Sequence, residues 1–112
     1  MRNGVALLLP LALLLPACGG GGAYVVTVIS RDASGKVSET GARGTAKGKH
    51  SAVSLTLGTE TTNVVCKGSR STGATFEITW PERSKEEVTV SAGSSSDHFY
   101  MGGDIGLRIR VE

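Results

Sequence analysis

The side chains best able to do chemistry are His50, His98, Cys18 and Cys66. The run Ser94-Ser95-Ser96-Asp97-His98 invites a hydrolase reading. A catalytic histidine bonds a nucleophile through one ring nitrogen and an orienting carboxylate through the other. Adjacent residues on a strand point to opposite faces, so Asp97 does not orient His98 in that way. The chain has no G-x-S-x-G elbow either. A zinc site takes three or four ligands, and the spacing of His50, Cys66 and His98 matches no zinc pattern. The expectation is no catalytic residue, no metal and no cofactor.

The segment Gly41 to His50 resembles a phosphate loop only in composition. Such a loop needs four residues between its glycines and then Lys followed by Ser or Thr. Gly44 and Gly48 have three residues between them, and His50 follows Lys49. What remains is a flexible basic loop of Arg43, Lys47, Lys49 and His50, able to touch anionic head groups or glycan. The alternative is a solvated loop or a charged edge strand that resists aggregation. Trp80 stands before Pro81 and could line a binding surface, as aromatics often do. Its phase with Phe76 and Ile78, in a chain with only five aromatics, favours core or core edge instead. Arg108 and Arg110 share the wet face of the last strand and could read a carboxylate partner.

Cys18 carries the clearest signal. Before it stand Arg2, an apolar run from Val5 to Leu15, and Pro16-Ala17; after it come Gly19 to Gly22. A charged start, a short apolar run and a small residue before a cut site describe an export signal. The apolar run is shorter than the roughly 20 residues a bilayer span takes. Pro10 also interrupts it. Leu15-Pro16-Ala17-Cys18 resembles the lipobox of bacterial lipoproteins. The resemblance implies a signal peptide over 1–17, a diacylated Cys18 as new N-terminus, and a membrane held through that lipid. Residues 18–22 would be the lipidated cysteine and a glycine tether. Gly19 stands where some inner-membrane lipoproteins carry Asp, so the outer membrane is expected over the inner. Cleavage after Ala17 by ordinary signal peptidase, giving a secreted soluble domain, is the alternative.

Cutting 17 from the 112 residues leaves 95, enough for one small domain over 23–112. Of the 12 basic side chains Arg2 leaves with the signal, so 11 face 10 acidic ones. That near balance gives no sign of nucleic-acid binding, which shows as a basic excess. With Cys18 lipidated, Cys66 has no disulfide partner within the chain. In phase with Val64, it reads as a small buried apolar residue.

The elements that must position these groups are strands. Tyr24–Ile29 is rich in β-branched residues, with Tyr24, Val26 and Val28 on one face. Val64 and Cys66 alternate with Val65 and Lys67, and apolar residues alternate with polar ones at Val53–Leu57, Phe76–Trp80 and Val88–Ser91. The cleanest run sets Ile105, Leu107, Ile109 and Val111 against Gly106, Arg108, Arg110 and Glu112. Period two puts each apolar set on one side of a pleated strand. Turn formers separate the runs at Asp32–Gly35, Gly58-Thr59, Gly68–Gly73, Pro81–Lys85, Gly93–Asp97 and Gly102–Asp104. A strand over Phe99-Tyr100-Met101 is expected after the serine run. The pattern predicts an all-β domain, a small antiparallel β-sandwich or barrel of about 7–8 short strands.

The expected function is that of a lipid-anchored cell-envelope protein whose β-domain binds an envelope protein, a glycan or another ligand. A structural or assembly subunit is the alternative, and it predicts an uncovered strand edge at the first or last strand.

Overall fold

The computed structural model describes residues 23–112; Cys18, the signal segment and the glycine tether lie outside the described residues. Eight antiparallel strands follow one another: β1 (Ala23–Arg31), β2 (Val37–Lys47), β3 (Ala52–Leu57), β4 (Glu60–Arg70), β5 (Gly73–Thr79), β6 (Lys85–Ser91), β7 (Ser95–Phe99) and β8 (Ile105–Val111). They form two four-stranded sheets, ordered β2-β1-β8-β7 and β3-β4-β5-β6. The architecture is therefore a sandwich. Its strand order is that of an up-and-down barrel opened along two seams, between β2 and β3 and between β6 and β7.

Each apolar set found by alternation faces the space between the sheets. Tyr24, Val26, Val28, Val64, Cys66, Phe76, Ile78, Leu107, Ile109 and Val111 are all buried there. Fully burying a Val, Leu, Ile or Phe side chain is worth about 1.5–3 kcal/mol. This interior is what holds a domain with no disulfide among its described residues. Tyr24 meets Phe76 edge-on, with ring centroids 4.7 Å apart. Its hydroxyl donates to the Ser51 carbonyl at 3.0 Å, so the polar end of a buried ring is satisfied. Gly44 brings β2 close to β3. A Cβ there would lie 2.6 Å from Cγ1 of Val53, so any larger residue would wedge this seam open.

Three sequence expectations change. The stretch 37–47 is a charged edge strand, the second of the two readings of the basic segment, so Arg43 and Lys47 stand on β2 and not in a flexible loop. Only Lys49 and His50 occupy the turn that follows. The serine run forms β7, and the chain then leaves extended structure at Tyr100–Gly102, a 3-10 turn with Met101 at φ 52°. The polar β2 is strand because β1 offers it a ladder from Ala23↔Lys47 to Arg31↔Val37, interrupted once by a shift of register between Thr27 and Ile29. The third change concerns the edges. The first and last strands, β1 and β8, pair with each other along Tyr24↔Val111 to Ser30↔Ile105. Neither is an open edge. The sheet edges belong to β2, β7, β3 and β6.

Candidate functional site

A bulge in β4 shapes the main concave surface. Cys66 pairs with Phe76, but Gly68 already pairs with Thr75, so one extra residue, Lys67, is inserted. A bulge bends its strand and locally raises the twist. The turn after β2 is tied to the same place. His50 N donates to the Cys66 carbonyl at 2.8 Å, and Cys66 N donates to the Ser51 carbonyl at 2.9 Å. Lys49 is thereby set beside Lys67, and the β4–β5 hairpin extends past them to Arg70.

The result is a cleft of about 800 Å³ lined by Lys49, Lys67 and Arg70. Hydroxyls complete the wall: Ser69, Thr72, Thr75, Thr89 and Ser91. Its lining contains no Asp or Glu. None of the three cations enters an ion pair among the described residues. All three are exposed. Unpaired cations around a hydroxyl-lined concavity suit a ligand carrying phosphate or carboxylate. Cys66 below them is fully buried, and burial pushes its thiol up, so it stays a neutral core residue.

The remaining expected contacts are dispersed. Arg43 and Lys47 are exposed on β2, and Arg110 is exposed on β8 opposite Ser95. Trp80 is only 5% exposed. Its ring stacks on Tyr100 at 5.6 Å, and its Nε1 donates to Oε1 of Glu86 at 3.1 Å. Arg108 grips Asp97 with two parallel bonds, Nε to Oδ1 at 2.8 Å and Nη2 to Oδ2 at 3.1 Å. Its Nη1 reaches Glu39 at 3.1 Å. These bonds hold the Asp97 carboxyl below its usual range and push the Arg108 guanidinium up. Arg31 lies over Phe99, 3.8 Å from the ring centroid. The wet face of this sheet is thus occupied by its own side chains, above a fully buried Ile29.

His98 does find a nucleophile and a carboxylate, though not Asp97. Its Nε2 stands 2.7 Å from the Ser96 hydroxyl, and its Nδ1 stands 3.5 Å from Oε2 of Glu86. Ser96 sits within a regular strand, β7, and not at the strained turn from which an elbow presents its hydroxyl. Glu86 comes from β6, so the group bridges the seam between the sheets. Sequence reasoning weighed only the neighbouring Asp97, because the Glu86–His98 contact exists only once β6 and β7 meet.

Lys67 and Arg70 were also missed, since both fall in or beside a stretch read as turn formers. Counting the charges carried by successive turns would have flagged them. Among the described residues no group of three His, Cys, Asp or Glu side chains stands ready to hold a metal ion. In comparisons with known proteins, no family model, curated protein or solved structure matches this chain.

Proposed function

We propose that this is a lipid-anchored cell-envelope protein whose β-domain binds an anionic envelope ligand in the cleft of Lys49, Lys67 and Arg70. One observation carries the reading. Three cations converge on a hydroxyl-lined concavity without a carboxylate among its lining residues. Surface cations of a nearly neutral protein are ordinarily interspersed with acids. Leaving three together costs self-repulsion, which an anionic ligand relieves. The anchor comes from the lipobox resemblance at Leu15-Pro16-Ala17-Cys18.

Titrating the protein with glycerol phosphate, and separately with neutral glycerol, tests the cleft. The amides of Lys49, Lys67 and Arg70 should shift with the phosphate alone. Equal response to both compounds, or shifts spread over the whole surface, would contradict the proposal.

A further inference from the structure

We infer that the cleft belongs to a docking surface for the phosphate headgroups of the membrane that carries the anchor. This rests on the anchored binding reading and names its ligand. The strands run strictly up and down, so every turn falls at one of two ends of the sandwich. One end holds the start of β1 at Ala23, the turns after β2, β4 and β6, and the end of β8. Lys47, Lys49, Lys67, Arg70 and Arg110 lie toward it, with Glu112 as the acid among them. The turns after β1, β3, β5 and β7 form the other end. Asp32, Glu60, Glu82, Glu86 and Asp104 gather there, against Arg31, Lys36, Arg83 and Lys85. The molecule is polarised along its strands, basic where the tether enters and nearly balanced in charge where it does not.

That coincidence points to the membrane. Only five residue steps separate Cys18 from Ala23. At ~3.3–3.6 Å per residue they span at most about 18 Å. The basic end is therefore held within about two screening lengths of the leaflet, each ~8 Å at physiological salt. Charges at that distance still feel an anionic surface. The charge-balanced end is held away from it by the length of the strands. A ligand taken from solution would give no reason for the cations to gather at the tethered end. The hydroxyls of Ser69, Thr72 and Thr75 add donors for phosphate oxygens within the concavity.

The test uses the mature chain from residue 18 with Cys18→Ser, so that no lipid holds it. It is sedimented with vesicles of phosphatidylcholine alone and with vesicles containing phosphatidylglycerol. Binding should require phosphatidylglycerol and fade as salt rises. Lys49→Gln, Lys67→Gln and Arg70→Gln should each weaken it about fivefold, the change that ~1 kcal/mol per cation at an anionic surface gives. Lys36→Gln and Lys85→Gln at the opposite end should leave it unchanged. Equal binding to both vesicles, or equal losses from both ends, would overturn the inference. Glycerol phosphate shifting the cleft amides without any vesicle binding would overturn membrane docking and leave the anion cleft standing. No response to either would remove both.

Discussion

Glu86 on β6 and His98 on β7 tie the two sheets where no backbone ladder joins them, Oε2 of Glu86 standing 3.5 Å from Nδ1 of His98. The other carboxylate oxygen accepts from Trp80. Trp80 in turn stacks on Tyr100, just past the end of β7. One side chain thus serves both sheets. Glu86→Ala should remove both contacts and loosen the seam. A loss of about 1–2 kcal/mol is expected in urea unfolding, since the Trp80 Nε1–H loses its partner in a largely buried setting. Amide exchange should quicken in β7 more than in the central strands β1 and β8. Uniform quickening would argue against a local tie.

The same residues allow a sharper test. Ser96 meets the distance requirement of a nucleophile beside a histidine, but a reactive serine also needs donors aimed at the developing oxyanion. The reading of Ser96, His98 and Glu86 as a structural tie predicts that a fluorophosphonate probe does not label Ser96. Labelling of Ser96 that disappears in His98→Gln would show instead that the group is catalytic.

Acid should weaken the wet face of the β2-β1-β8-β7 sheet. Arg108 holds the Asp97 carboxyl below the ordinary value in the folded chain, chiefly by hydrogen bonding. A group with a depressed folded value contributes stability that is present above its unfolded value, about 3.9 for Asp, and lost as pH falls through the folded value. Unfolding monitored between pH 6 and 2 should show a decline beginning below about 4. Asp97→Asn should reduce that slope. An unchanged slope in the variant would assign the acid sensitivity elsewhere.

Arg83 occupies a left-handed backbone conformation, φ 77°, in the turn between β5 and β6. An L side chain there costs roughly 1–2 kcal/mol. Its amide still donates to the Trp80 carbonyl at 2.7 Å, which closes the turn. Arg83→Gly keeps that bond and removes the steric cost. Thermal unfolding should shift upward by a few degrees, as about 1 kcal/mol gives in a domain of this size. A lower midpoint would mean that the Arg83 side chain does more than the turn shows.

How much of this was legible in the sequence follows from where each signal lives. The alternation of Ile105, Leu107, Ile109 and Val111 is local, and it places the last strand and its buried face correctly. Trp80 in phase with Phe76 and Ile78 likewise reads as core, and it is core. β2 carried no such signal, because its outward positions are polar and its inward ones include Gly44 and Ala46. Its strand state is conferred by β1. The cleft depends on a bulge at Cys66/Gly68, set by pairing with β5, and on a turn bonded to it from 15 and 16 positions earlier in the chain. Charge polarity was present in the sequence all along, but it becomes visible only when the turns are sorted between two ends.

The central claim joins an anchor to a cleft, and its most direct test is the intact mass of the protein extracted from membranes. The account predicts a chain beginning at Cys18 with acyl chains attached, and a Cys18→Ala variant that no longer fractionates with the membrane. A mature chain carrying an unmodified Cys18, or one that keeps Met1, would contradict it.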